Sequence, residues 1–179
     1  MAEKLSEHFT LAELTYSDTA KAKKIDNTPT EFHKKALKHT AEYLLEKIRA
    51  LLNEKYKGYN GKSVKCMALK VTSCYRSEKL NTEVKGSNTS QHLKGEAADI
   101  EATIVYANGV RRPLPYNELY EDIKAWTKAG KMSVDQCIQE RSGTVTWVHV
   151  SHSSWGASKD RKQFLKYDKG MYRMDCVLK

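Results

Sequence analysis

No apolar stretch in this 179-residue chain reaches the 18 residues a membrane helix needs. The opening Met1 to His8 mixes Glu3 and Glu7 with Lys4 and holds no apolar run, so neither a signal peptide nor a membrane span is predicted there. The expectation is a soluble chain, cytoplasmic at synthesis. The four cysteines, Cys66, Cys74, Cys137 and Cys176, lack C-x-x-C spacing and are read as reduced, small core residues rather than disulfides or metal ligands. No repeat, linker or low-complexity block is visible, which predicts one domain over 1–179. Acids are in deficit: 22 Asp+Glu against 31 Lys+Arg leave a net charge of +9. That balance favours an anionic partner without choosing one, and many of the lysines fit solvated helix faces. No arginine/aromatic motif or helix-turn-helix pattern accompanies the charge, so a nucleic-acid partner is not expected.

What is present is an ordinary globular composition, 40% hydrophobic and 30% charged, on a chain long enough to bury a core. Thr10-Leu11-Ala12-Glu13 has capping-box form and predicts a short helix, with a second over Ser17 to Lys24. Thr28-Pro29-Thr30-Glu31 predicts a helix start with Thr28 as cap and Pro29 in the first position. Phe32, Ala36, Tyr43, Leu44, Ile48, Leu51 and Leu52 carry that helix at three- and four-residue intervals to about Tyr56, and Gly58 ends it. Met67, Leu69 and Val71 alternate as in a strand, which delivers Ser73 to Arg76 to a turn before a short helix capped by Ser77. Gly95 to Ile104 is small and apolar in the manner of a buried strand, and Asn108-Gly109 marks a hairpin. A helix follows from Tyr116 to Ala129, then a hairpin of Ser133 to Glu140 and Thr144 to Ser151 closed by Arg141-Ser142-Gly143. The tail after Trp155 fits strand or coil. The sum is an α+β fold, N-terminal helices packed on a small, mostly antiparallel sheet with a metal site at its edge.

His92, in a polar loop, and Asp99, bracketed by Ala98 and Ile100, have chemistry that packing does not explain. Trp147-Val148-His149-Val150-Ser151 supplies a further histidine on the same strand face as Trp147. Hydrolytic zinc takes three nitrogen or oxygen ligands and leaves a fourth position for water, and His92, Asp99 and His149 form such a set. Gly95 is expected to let the backbone pass close to the ion. Trp147 is expected to exclude water and hold the His149 ring. His152, three residues on, faces the other side of a strand and is left out.

Ser90-x-His92-x(6)-Asp99 followed by Trp147-x-His149 resembles the zinc D-alanyl-D-alanine peptidases of bacterial cell-wall metabolism, including endopeptidase-type bacteriophage lysins. Phe9 to Leu14, Ile25 to Pro29, Val71 to Ser77 and Asp135 to Ser151 extend the likeness to the compact branch of that family over roughly residues 8 to 152. The resemblance implies a hedgehog/D-Ala-D-Ala peptidase-like fold, one Zn2+ per chain, and hydrolysis of peptidoglycan stem peptides or cross-bridges as a carboxypeptidase or endopeptidase. It further implies a monomer that acts on the wall after release or as part of a phage particle. Many relatives place an acid three residues before the last histidine, where this chain has Thr146. Glu140 is the expected general base, because it ends the strand paired with the Trp147–His149 strand and the compact branch carries an acid there; Glu101 is the second choice. Arg76 is expected to bind a substrate carboxylate or a developing oxyanion, by its fork of donors and by resemblance, a surface salt bridge being its other reading. Ser90 and Gln91 are expected to contact substrate or orient the loop, with Trp147 beside them. The absent acid at 146 also admits a different class: a non-catalytic, metal-stabilised wall-binding or phage structural module.

Overall fold

The computed structural model describes residues 3–153 and 156–178. Helix α1 (Leu11–Thr15) is capped by Thr10, whose hydroxyl accepts from the Glu13 amide, and α2 (Asp18–Lys23) by Ser17 in the same way. The long helix starts two residues later than Thr28. Thr30 is its cap, accepting from the His33 amide, while the Thr28 amide is drawn into a local turn by Asp26 Oδ1 at 2.9 Å.

That helix is not uniform. Helix α3 (Glu31–His39) passes through a π-helical turn (Thr40–Leu45) into α4 (Glu46–Tyr56). The Glu46 amide bonds back to the Ala41 carbonyl, five residues away, and this wider turn rotates the buried stripe. Leu37, Ala41, Leu44, Leu45 and Ile48 are fully buried, whereas Phe32 and Tyr43, which periodicity assigned to the apolar face, are 64% and 63% exposed. Lys57 and Gly58 leave the helix, Gly58 with φ of 84°.

The sheet is mixed and mostly antiparallel. Its strands are β1 (Val64–Ser73), β2 (Ala97–Tyr106), β3 (Arg111–Pro113), β4 (Gln136–Ser142), β5 (Val145–Ser151), β6 (Gln163–Asp168) and β7 (Met171–Val177). Their order is β1-β2-β5-β4-β6-β7, with β3 beside β2. Among the described residues only β4 and β6 pair in parallel. Helix α5 (Glu78–Glu83) follows β1 and is capped by Ser77, and α6 (Tyr116–Lys128) lies between β3 and β4. Strand β4 runs on to Ser142, so the β4–β5 turn is the two-residue Gly143-Thr144 rather than Arg141 to Gly143. The tail resolves to strands, β6 and β7 turning through Lys169 and Gly170, both with positive φ.

Alternation divides the sheet into two faces. Ile100, Cys137, Val148 and Val150 are fully buried in one core with Leu119 and Ile123 of α6 and Leu44, Ile48 and Leu52 of the long helix. Asp99, His149, Ile138 and Glu140 alternate with these residues and belong to the opposite face. The strands that carry Asp99 and His149 are interior, so the expected position at the sheet's edge is corrected to the middle of a face. All four cysteines are free thiols, Cys74 and Cys137 buried and the other two partly so.

Candidate metal centre

His92 sits in a single 3-10 turn, Gln91–Lys94, rather than in open loop. The Ser90 hydroxyl caps that turn by accepting from the His92 amide at 3.3 Å, and the Arg76 amide donates to the His92 carbonyl at 3.1 Å. Gly95 closes the turn with φ of 73°. Its missing side chain serves the long helix, because a Cβ there would lie 3.1 Å from Leu37 Cγ and 3.3 Å from the His33 carbonyl oxygen. The expectation that Gly95 makes room for an ion is therefore corrected: it makes room for α3 to pack over the turn.

The buried His92 ring has Nδ1 2.6 Å from the Cys74 carbonyl oxygen. A carbonyl only accepts, so Nδ1 carries the proton and Nε2 presents its lone pair. Burial pushes the His92 pKa down, and the opposing pull of Asp99 does not reverse this, so the ring is held neutral. Nε2 lies 3.2 Å from His149 Nδ1 and 3.3 Å from Asp99 Oδ1. The third edge, His149 Nδ1 to Asp99 Oδ1, is 3.0 Å, set by the direct pairing of Asp99 in β2 with His149 in β5.

Three donor atoms thus form a nearly equilateral triangle. A tetrahedral ion with ligand distances of about 2.0–2.1 Å needs its donors about 3.3–3.4 Å apart, which this triangle approaches. The protonation state makes the same demand. At most one proton, on His149 Nδ1, can lie among two ring nitrogens and a carboxylate, and the His92 lone pair faces the carboxylate oxygen. A buried set so rich in lone pairs calls for a cation. Burial alone would raise the Asp99 pKa, but the imidazoles of His92 and His149 beside it outweigh this and hold the carboxyl well below the usual range. Among the described residues this is the one cluster of three or more His, Cys, Asp or Glu side chains whose donor atoms converge within 4.8 Å.

Arg76 braces the other side of Asp99. Its Nη2 donates to Asp99 Oδ2 at 2.7 Å and its Nε to Ser73 Oγ at 2.9 Å, leaving Oδ1 turned to the histidines. The guanidinium is therefore tied to a candidate ligand and is not a surface salt bridge, its side chain being 18% exposed.

A cavity of about 740 Å³ opens over the triangle. His92, Asp99 and His149 line it together with Arg76, Ser90, Gln91, Glu140 and Trp147, the first-choice site residues of the sequence reading. Glu140 pairs in register with Trp147, and burial pushes its carboxyl up to about 7, with Asp99 adding to the rise and His149 and Arg76 opposing it. Glu101 is elsewhere: it forms a 3.6 Å ion pair with Lys70 and lines a separate cavity that also holds Thr146. Position 146 alternates with His149 along β5, so the missing acid there removes nothing from this face. His152 likewise stays out, with Nδ1 2.6 Å from Asp160 Oδ2 and its ring stacked on His39. Gln136, which also lines the cavity, donates from Nε2 to Gln163 Oε1 at 2.6 Å. The residues that sequence reasoning missed are Arg161, Gln163, Tyr167 and Tyr172, which also line the cavity. They come from the tail, where the only available signal was its run of aromatic and apolar residues.

Residues 7–121 match the sequence model of the peptidase M15 family. That span includes Arg76, His92 and Asp99 and ends before Glu140 and His149. Comparison with curated proteins finds no match. The match covers well over half of the sequence, on a fold and a His-Asp-His cluster that suit it, and so this chain belongs to the M15 family of zinc D-alanyl-D-alanine peptidases, a family of metallopeptidases.

Proposed function

We propose that the chain is a zinc-dependent hydrolase of peptide bonds in peptidoglycan stem peptides or cross-bridges, working as a single-domain monomer. The observation that carries this reading is the meeting, in one cavity, of a nitrogen, nitrogen and oxygen triangle with a carboxyl whose pKa is pushed up to about 7. His92 Nε2, Asp99 Oδ1 and His149 Nδ1 would hold the ion. Bound zinc supplies a Lewis acid that polarises a scissile carbonyl and makes water acidic near neutral pH.

The chain's own groups do the rest. Glu140, with a pKa near neutrality, accepts the proton of the attacking water and returns it to the leaving amine. Arg76 orients Asp99 through Oδ2 and also lines the cavity, where a substrate carboxylate or tetrahedral oxyanion would meet its remaining donors. Cys74 fixes the His92 tautomer through its carbonyl. Trp147, beside Glu140, screens the site from bulk water, and Ser90 and Gln91 shape the wall that carries His92.

Within this reading the enzyme is a D-Ala-type carboxypeptidase or an endopeptidase, reaching the wall after release or on a phage particle. Incubation with purified peptidoglycan should release new amino groups, and mass spectrometry of the muropeptides identifies the bond cut. Wall retained on the protein with no new amino groups would instead favour the non-catalytic wall-binding module that Thr146 first suggested.

A further inference from the structure

Three cross-strand rows pave the face beneath the cavity. The middle row begins at Asp99 and continues through His149 and Ile138 to Leu165. On one side lies the amide pair Gln136 and Gln163. On the other side, two residues along each strand, Trp147 of β5 faces Glu140 of β4, Glu140 faces Tyr167 of β6, and Tyr167 faces Tyr172 of β7. This row crosses four strands, three interstrand steps or roughly 14 Å from the Trp147 end. The mechanism uses its first two members. The outer two have no part in it, although both line the cavity.

Tyr167 and Tyr172 form a tilted ring pair with centroids 4.6 Å apart, and Tyr172 is 60% exposed. An exposed aromatic face continuous with a candidate active site marks a place for ligand contact rather than core packing. The polar groups beside it select the ligand. Ser142, one alternation beyond Glu140 on β4, lines the same cavity, and the two phenol groups add further hydroxyls. A purely apolar substrate side chain would cover these groups and leave them without partners. A pyranose ring presents one CH-rich face for stacking and a rim of hydroxyl and amide groups for hydrogen bonding, which suits both features.

We infer that Tyr167 and Tyr172 form a carbohydrate subsite that stacks an N-acetylated sugar ring next to the bond being cut. The preferred substrate is then a peptide still joined to its glycan. This inference rests on the peptidase reading above and narrows its substrate class from peptide to glycopeptide.

Chitotetraose, an oligomer of N-acetylglucosamine, is the probe, titrated into the zinc-loaded full chain by calorimetry. The wild type should bind it. Tyr172→Leu, which retains apolar bulk on the hairpin, should weaken binding at least about fivefold, the loss of one ring-stacking contact, and Tyr172→Phe, which keeps the ring and loses one hydroxyl, should weaken it less than Tyr172→Leu does. Tyr43→Ala removes an equally exposed aromatic from the long helix and should change nothing. No binding by the wild type, or equal weakening by Tyr43→Ala, overturns the subsite. Wall hydrolysis is followed in the same preparations. Release of amino groups without chitotetraose binding sinks the subsite and leaves the peptidase reading standing. Chitotetraose binding with the Tyr172 dependence but no hydrolysis upholds the subsite and sinks the peptidase reading.

Discussion

At the scale of single residues, the Cys74 carbonyl decides more than its backbone origin suggests. By accepting a hydrogen bond from His92 Nδ1–H it leaves Nε2 as the only ring atom that can serve a metal, and Asp99 and His149 are already in register to meet it. Purified protein should contain about one zinc per chain, and His92→Ala should remove it, as elemental analysis will report. Glu140→Gln should retain the zinc and lose about a hundredfold or more of the hydrolytic rate. The pH dependence follows from the sign of the shift. A carboxyl pushed up to about 7 is protonated below that value, so the rate should rise with pH through about 7 on its acid limb. Stability runs the other way in the metal-free protein. The folded pKa lies above the ordinary 4.5, so stability is full below 4.5 and is lost as pH rises through about 7. Metal-free Glu140→Gln should therefore unfold at higher denaturant than the wild type near pH 8, by about 1–3 kcal/mol, and show no gain near pH 4. Equal curves at both pH values would place Glu140 in water.

Among the elements, the clearest test is Gly95→Ala. The new Cβ meets Leu37 and the His33 carbonyl while φ stays at 73°, so packing and backbone conformation both suffer. A loss of about 1–3 kcal/mol is expected in chemical denaturation, together with weaker metal retention, because the turn that carries His92 must shift. Phe164→Ala should cost about 3–5 kcal/mol, since the ring is fully buried and meets Tyr120 of α6 edge-on, pinning β6 to the core. The contrast between these elements explains what could be read in advance. β1, β2, α6 and the β4–β5 hairpin announce themselves by local periodicity, and the candidate metal ligands by a residue chemistry that packing cannot supply. The π-helical turn has no such signal, because one extra residue per turn still leaves apolar side chains at plausible intervals; this is why Phe32 and Tyr43 were assigned to the wrong face. Thr28 and Thr30 are equally good caps on paper, and the choice falls to the hydrogen bond that the Thr28 amide donates to Asp26. The tail is ambiguous in sequence because β6 lies parallel to β4, a pairing set by contacts distant along the chain.

For the whole molecule, the residues expected at the site converge on one cavity, with Glu101 excluded and a C-terminal wall added. That wall is not legible in the sequence because its role depends on strand order, which alternation alone does not reveal. The net charge of +9 acts at this scale too. Digestion of intact, anionic wall should fall more steeply with added salt than turnover of a small soluble peptide, since only the former gathers many charges at once. Parallel salt curves for the two substrates would argue that the lysines serve solubility alone. The donors of the candidate centre are scattered: 57 residues separate His92 from His149 and 50 separate His149 from Asp99. An unravelled polypeptide offers no comparable grip, so whatever free energy the ion gains on capture is added to the native state in full. A bound ion would then double as a fastener, and a chelator should lower the melting temperature of the metal-loaded protein.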